Sequence, residues 1–198
     1  MEHLEFQPHM STSEAELLVS FIPNTGRVLE FGAGGSTQLF FEHGVSHLYS
    51  LESDSVWLNK IIASPNVSVN LKYGRWTPLH ADIGLVGDWG APAARKPQAR
   101  WLNYHQHCWE AIPERNFDFI LIDGRFRVAC LCQSLLRCNN DCLTFAFHDF
   151  FDRPWYHIVL GFVDIVAQAD TLAILKPKQT VDWRKLNLVL QAHQFLFD

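Results

Sequence analysis

The sequence predicts a single α/β domain, residues 1–198, built on a mostly parallel β-sheet. Its 198 residues fit one domain, and 48% of them are hydrophobic, which is enough for a sizeable core. Short apolar runs alternate with amphipathic stretches in the first part of the chain, an order typical of parallel strands joined by helical crossovers. The run at 117–122 (FDFILI) is almost continuously apolar, as expected for a central strand covered on both faces.

The individual elements can be justified in order along the chain. Ser13, followed three residues later by Glu16, has the pattern of a capping box and predicts the start of a first helix. Asp54 is predicted to cap the helix after the second strand. The further expectations are strand 27–31, helix 36–43, strand 46–51, helix 54–63, strand 67–71, strand 117–122, helix 127–138, strand 142–147, helix 155–167, strand 171–175, and a closing helix or strand at 181–194.

The alternation breaks after the predicted third strand. The segment at approximately 74–112 is rich in glycine and proline and predicts an insertion, made of a long loop and a helix near 98–112. Loops of this length in a compact domain are usually functional. Two interpretations of its tryptophans, Trp76, Trp89 and Trp101, stay open: they wall off a substrate pocket, or they pack in the core.

A glycine-rich turn follows the first predicted strand. The run VLEFGAGGST places Gly32, Gly34 and Gly35 between a strand and a helix. Such a turn lets a ligand lie against the backbone and presents a helix N-terminus to it. Dinucleotides and S-adenosylmethionine both exploit this geometry. The dinucleotide pattern G-x-G-x-x-G/A requires a small residue where this sequence has Thr37, so that pattern fails.

Three carboxylates accompany the turn. Glu30 ends a buried strand, where it needs a partner: either the ammonium group of a methionine-derived ligand or its ordered water, or loop amides or a lysine. Glu52 ends the second strand and is predicted to accept both ribose hydroxyls, the alternative being a surface acid. Asp82 is predicted to bind an adenine amino group beside the amide of Ile83, the alternative being a turn before Gly84.

These motifs together resemble class I S-adenosylmethionine-dependent methyltransferases. The resemblance is carried by VLEFGAGGST, SLESD, ADIG and FDFILIDGR, and it covers roughly residues 12–176. The details EFGAGGST and DGRFRVAC are also similar to uncharacterised bacterial methyltransferase-like proteins, and more distantly to polysaccharide-directed O-methyltransferases of plants. The resemblance implies a doubly wound, Rossmann-like sheet of seven strands that binds S-adenosylmethionine. The predicted cofactor-binding residues are Glu30, Gly32, Gly34, Ser36, Thr37, Glu52, Ser53, Asp82 and Ile83.

Acidic residues also follow the fourth and fifth predicted strands, where the methyl acceptor is expected. Asp123, His148 and Asp149 are the predicted catalytic residues, which would position the acceptor or remove its proton. Paired carboxylates at this place are similar to those of metal-dependent catechol-type O-methyltransferases. Phe150 stands where those enzymes have Asn, so no metal site is predicted, and ligation by Asp123 and Asp149 remains the alternative.

Two arginines lie beside these acids. Arg125 and Arg127 are predicted to bind a carboxylate or phosphate of the substrate, because a guanidinium donates two parallel hydrogen bonds. The open alternatives for Arg125 are a pair with Asp123 or Asp149, or exposure to solvent. His157 either lines the same pocket or packs.

Composition restricts the class of partner. The net charge of −5 and the pI near 6.0 argue against a nucleic-acid partner. The first residues show no secretory signal, and no apolar run approaches the length of a membrane span, so a cytoplasmic protein without a membrane partner is expected. The five cysteines are expected to be reduced thiols, since their spacing does not fit zinc.

The function predicted from the sequence is methyl transfer from S-adenosylmethionine to a hydroxyl of a small or sugar-like acceptor, including an anionic one. Two alternatives stay open. One is a methyltransferase-like protein that binds S-adenosylmethionine or S-adenosylhomocysteine without turnover, and the other is an NAD-dependent oxidoreductase. The sequence names neither the acceptor nor the oligomeric state.

Overall fold

The centre of the molecule is one seven-stranded sheet. The computed structural model describes residues 6–140 and 142–197. The strands are β1 (Arg27–Phe31), β2 (His47–Glu52), β3 (Trp76–His80), β4 (Phe119–Ile122), β5 (Thr144–Phe147), β6 (Val163–Ala169) and β7 (Leu172–Pro177). Their spatial order is β3-β2-β1-β4-β5-β7-β6. Neighbours from β3 to β5 pair in parallel, whereas β7 is antiparallel to both β5 and β6.

Helices cover both faces of this sheet. Val28 and Leu121 face a layer formed by the first four helices, while Leu29 and Ile120 face a layer formed by the last three. The predicted doubly wound, mostly parallel α/β architecture is therefore confirmed. The helices are α1 (Thr12–Phe21), α2 (Gly35–Glu42), α3 (Ser55–Ala63), α4 (Pro65–Lys72), α5 (Cys108–Ala111), α6 (Arg127–Arg137) and α7 (Trp183–His193).

The predicted third strand at 67–71 is wrong, because this segment belongs to α4. Pro65 occupies the first turn of that helix, where its missing N–H costs nothing. The two buried residues of α4, Val67 and Asn70, are three apart, which is a helical spacing. The third strand is instead Trp76–His80, so the irregular segment begins after His80 and not at residue 74.

The predicted helices at 98–112 and 155–167 are also corrected. The first is broken into a 3₁₀ turn (Ala99–Trp101), a π-helical turn (Asn103–His107) and the short α5. The second is a 3₁₀ helix (Pro154–Gly161) that gives way to β6. Pairing of β6 with the antiparallel β7 overrides any helical preference there. The closing segment is the helix α7, which settles the alternative left open by the sequence.

The first helix starts two residues earlier than predicted. Its capping box is formed by Ser11 and Glu14, and not by Ser13 and Glu16. The sequence contains the same S-x-x-E pattern twice, and burial selects the first copy: Glu14 is 4% exposed, whereas Glu16 lies on the surface. Within residues 6–140 and 142–197, no helix combines the length and the apolar character that crossing a membrane requires.

Candidate active site

A cavity of about 450 Å³ lies over the carboxyl ends of β1, β2 and β4. This volume is in the range of small-molecule and cofactor sites. Its walls come from the turn after β1, the start of α3, the loop after β4 and the N-terminal residues before α1. The sequence-predicted residues that line it are Gly32, Gly34, Ser36, Glu52, Ser53, Asp123 and Arg125.

The three glycines of the turn have different roles. At Gly32, where φ is +98°, an added Cβ would lie 2.8 Å from the amide nitrogen of Gly124, so this glycine lets two loops touch. At Gly35, an added Cβ would lie 2.1 Å from the backbone nitrogen of Pro8. At Gly34, no described atom lies within 4 Å of that position. Of the three, Gly34 is the glycine that leaves room for a ligand.

Glu30 supports the turn from below and does not line the cavity. Its side chain is completely buried and accepts hydrogen bonds from the hydroxyls of Ser36, at 2.9 Å, Ser50, at 2.6 Å, and Thr37. Burial raises the pKa of Glu30 to about 7, although the three hydroxyls oppose this shift. Thr37 is equally buried and accepts from the Gly34 amide at 3.1 Å. The expected direct contact of Glu30 and Thr37 with a ligand is therefore corrected to a supporting role.

Glu52 is the carboxylate in the cavity wall. Its Oε1 accepts hydrogen bonds from the amides of Ser53, at 2.7 Å, and Asp54, at 2.8 Å. Burial raises the pKa of Glu52, and these amides act against the rise. The Ser53 hydroxyl donates to the carbonyl oxygen of Gly90 at 2.9 Å. The end of β2 thus presents an oriented acid to the cavity, while its contact with ribose hydroxyls stays a prediction.

Asp82 and Ile83 lie away from the cavity. The Asp82 side chain is 68% exposed, accepts from the Gly84 amide at 2.9 Å and lies 4.0 Å from Arg100. Ile83 is buried in the core. The turn that was the alternative interpretation of Asp82 is therefore observed, and the predicted adenine contact is not. Trp89 and Gly90 are residues of the loop after β3 that do reach the cavity.

Sequence reasoning missed two aromatic residues of the cavity wall, Trp57 and Tyr104, whereas Trp89 lies in the wall as one of its two open interpretations had it. Trp57 donates from Nε1 to the carbonyl of Ala33 at 2.8 Å, directly beside the glycine turn. Tyr104 reaches the wall from the π-helical turn, although its side chain is almost fully buried. Trp89 adopts a left-handed conformation with φ of 58° and is largely exposed. Trp76 and Trp101 pack in the core, and His157 stacks on a phenylalanine, so these three residues follow the packing interpretation.

The three predicted catalytic residues do lie together. One ligating atom from each of Asp123, His148 and Asp149 falls within a group spanning 4.8 Å. His148 Nδ1 lies 2.9 Å from Asp123 and 3.6 Å from Asp149. Burial acts to lower the pKa of His148, but the two carboxylates outweigh it, so the pKa is raised. The structure therefore favours the charged imidazolium in this position.

Arg127 links these acids instead of facing a substrate. Its guanidinium is almost fully buried and lies 3.0 Å from Asp149 and 3.4 Å from Asp123. It also donates to the carbonyl of Gly124 at 2.9 Å and to that of His148. The predicted substrate role of Arg127 is corrected, because these partners use its donors. A cation already lies between the two carboxylates, so the arrangement does not fit a metal ion as it stands.

Arg125, in contrast, lines the cavity. Its Nε donates to the carbonyl of Trp89 at 3.0 Å, and it does not form the alternative pair with Asp123 or Asp149. Arg125 thereby joins the loop after β4 to the loop after β3 across the cavity.

Glu14 is a further member of the cluster that the sequence did not indicate. Its Oε2 lies 3.4 Å from His148 Nε2, and its Oε1 accepts from the Thr171 amide at 2.8 Å. Burial alone would raise the pKa of Glu14, but the hydrogen bonds from Thr171 and Ser11 lower it to about 2. His148 is thus held between two carboxylates that belong to distant parts of the chain.

Comparisons of the sequence with known proteins found no match, whereas comparisons of the structure found methyltransferases. No protein-family model matches the sequence, and no curated protein matches it. Among solved structures, a methyltransferase-like protein from Silicibacter pomeroyi DSS-3 is 25% identical, with a TM-score of 0.77 over 98% of this chain and 100% of its own. An O-methyltransferase from Bacillus cereus in complex with SAH is 16% identical, with a TM-score of 0.56 over 86% and 84%.

A methyltransferase from Geobacter sulfurreducens gives a TM-score of 0.53 at 13% identity, over 86% of this chain and 82% of its own. At such identities the last two structures bear on the fold alone. The match to the protein from Silicibacter pomeroyi covers nearly the whole length of both chains. The chain therefore has the class I S-adenosylmethionine-dependent methyltransferase fold, and over nearly its whole length it is similar to a methyltransferase-like protein.

Proposed function

We propose that this protein transfers a methyl group from S-adenosylmethionine to a hydroxyl of a small or sugar-like acceptor. The observation that carries this proposal is the cavity of about 450 Å³ between the open face of Gly34 and the carboxylate of Glu52. A cofactor with an amino-acid end and a ribose needs space against the backbone for the first. For the second it needs a group that accepts hydrogen bonds from the ribose hydroxyls.

The residues of the cavity fit the two ends of S-adenosylmethionine. Gly34 and Ser36 line it at the N-terminus of α2, where amides favour a carboxylate. Glu52 is oriented by the amides of Ser53 and Asp54 and would accept the ribose hydroxyls. Trp57 and Trp89 supply apolar wall for the adenine. When bound, the cofactor supplies the activated methyl group.

Asp123 is the residue of this chain best placed to handle the acceptor hydroxyl. It lines the cavity, while its neighbours Arg127, at 3.4 Å, and His148, at 2.9 Å, fix its direction. An oriented carboxylate can accept the hydrogen bond of a hydroxyl and take its proton as the methyl group is transferred. His148 and Asp149 then act indirectly: His148 contacts Asp123, Asp149 holds Arg127 beside it, and together they fix the orientation of the Asp123 carboxylate. An anionic acceptor would rely on Arg125, since Arg127 is occupied.

Titration calorimetry with S-adenosylhomocysteine and with NAD tests the proposal. We expect S-adenosylhomocysteine to bind and NAD not to bind. Glu52→Ala should weaken binding by about 1–3 kcal/mol, because the ribose hydroxyls lose a charged acceptor. Glu16→Ala, which removes an exposed glutamate of α1, is the matched control and should bind like the wild type. Binding of NAD alone would contradict the proposal.

A binding protein without turnover is the second candidate, and one observation favours it. Both Asp123 and Asp149 already form ion pairs, so cations within this protein compete with an acceptor hydroxyl for their oxygens. Transfer of labelled methyl groups to a panel of sugars, polyols and phenols separates the two candidates. Labelled product supports the enzyme, and tight S-adenosylhomocysteine binding with no product across the panel supports the binding protein.

A further inference from the structure

The N-terminal residues 6–11, called here the N-terminal cover, lie across the cavity. Pro8 packs so closely on the glycine turn that a Cβ on Gly35 would come within 2.1 Å of its nitrogen. Phe6 contacts Trp57 edge to face, with ring centroids 5.4 Å apart. On the other side, the rings of His9 and Trp89 are 5.1 Å apart. The cover therefore spans from α3 to the loop after β3 and closes one side of the cavity.

The cover is attached to the sheet through Glu14. This buried carboxylate accepts the Ser11 amide on Oε2 at 2.8 Å, at the point where the cover meets α1. Its other oxygen accepts both the amide and the hydroxyl of Thr171, the residue that precedes β7. Glu14 thus joins the end of the cover to the strand ends at the active site, and Asp170, which accepts from the Ser11 hydroxyl at 2.6 Å, adds a second and exposed connection.

The same carboxylate is connected to the cavity acid. Glu14 Oε2 lies 3.4 Å from His148 Nε2, and the opposite ring nitrogen of His148 lies 2.9 Å from Asp123. Asp123 is part of the cavity wall. One imidazole therefore links the anchor of the cover with the acid that faces the proposed methyl acceptor.

We propose that Glu14 is a positioning residue that holds the N-terminal cover closed over the cofactor cavity, so that the cofactor enters and leaves when this cover lifts. The identity of the cofactor rests on the function proposed above, but the closed cover does not. A cofactor whose adenosyl and amino-acid parts occupy the cavity would lie beneath Pro8 and His9, which line it. The rate of its release then depends on how firmly Glu14 holds the cover.

Hydrogen exchange of the ligand-free protein tests the anchor directly. In Glu14→Gln, the amides of residues 6, 7 and 9–11 should exchange about tenfold faster or more, because a buried hydrogen bond to a charged group is weakened; Pro8 has no amide hydrogen. Glu16→Gln is the matched control on the same helix, and its exchange should equal that of the wild type. Equal exchange in Glu14→Gln and the wild type would overturn the proposal.

Release of S-adenosylhomocysteine, followed by tryptophan fluorescence in a stopped-flow instrument, tests the consequence for the ligand. We expect Glu14→Gln to release it about tenfold faster than the wild type, with Glu16→Gln unchanged. An unchanged release rate in Glu14→Gln would overturn the cover as a gate. If the wild type does not bind S-adenosylhomocysteine, the proposed function fails, while the exchange experiment still decides whether Glu14 holds the cover.

Thr171→Val provides a second variant in case Glu14→Gln does not fold. It removes the hydroxyl that donates to Glu14 and keeps the backbone bond. We expect an intermediate rise in the exchange of residues 6–11. Exchange equal to that of the wild type in folded Thr171→Val, as judged by circular dichroism, would count against the anchor.

Discussion

The buried Glu30 makes a specific prediction about how stability depends on pH. We consider Glu30→Gln, which has nearly the same shape and is neutral at every pH. The amide can accept from Thr37 and Ser50 through its oxygen and donate to the Ser36 hydroxyl, which is free to rotate. The variant therefore keeps the packing under the glycine turn and removes the ionisable group.

The magnitude follows from the raised pKa. Burial raises the pKa of Glu30 from 4.5 to about 7, so the folded protein binds a proton more tightly than the unfolded chain does. The stability contributed by this group is fully present below pH 4.5 and is lost as the pH rises through 7. At about 1.4 kcal/mol for each pKa unit, the total loss is about 3 kcal/mol.

Urea unfolding from pH 4.5 to pH 8.5 measures this difference. The free energy of unfolding of Glu30→Gln minus that of the wild type should increase with pH by about 3 kcal/mol. Other titrating groups are common to both proteins and cancel in the subtraction. Glu16→Gln controls for the loss of one carboxylate at the surface. If the difference between Glu30→Gln and the wild type stays constant over this range, Glu30 is ionised throughout and the reasoning is wrong.

Three further substitutions test the cavity and the charged cluster. Gly34→Ala should fold like the wild type and weaken S-adenosylhomocysteine binding by about 1–3 kcal/mol in calorimetry, because the added methyl group enters the cavity; Gly87→Ala, outside the cavity wall, is its control, and equal affinities would exclude Gly34 from the site. Arg127→Met should lower the free energy of unfolding by about 1–3 kcal/mol in urea, since two partly buried carboxylates and two carbonyl oxygens lose a charged donor; a variant as stable as the wild type would show that the network is dispensable. Asp123→Asn should lower the pKa of His148 in an NMR titration, and an unchanged pKa would argue against their contact.

The architecture was predictable because it depends on local patterns. The apolar run that became β4 and the alternation around β1 and β2 identify a parallel sheet without any knowledge of contacts. The sequence wrongly predicts a strand at 67–71, because its alternating valines fit a strand as well as a helix and only Pro65 favours the helix. It wrongly predicts a helix over the whole of 155–167, because the pairing partner of β6 lies later in the chain.

The candidate site was predictable where a motif carries it. Gly34 and Glu52 follow from the turn after β1 and from the acid at the end of β2. Glu14 could not be found in this way, because its partner His148 is 134 residues away and the residues between them give no periodic signal. Asp82 illustrates the opposite case, in which a motif matched but the loop after β3 turned the side chain to solvent.

The central claim is that the cavity between Gly34 and Glu52 binds an adenosyl cofactor. A crystal structure of the protein grown with S-adenosylhomocysteine tests it most directly. We predict density for the ligand in this cavity, with its ribose hydroxyls at hydrogen-bonding distance from the Glu52 carboxylate and its amino-acid end beside Gly34. A ligand bound at another place, or an empty cavity at saturating S-adenosylhomocysteine, would contradict the account.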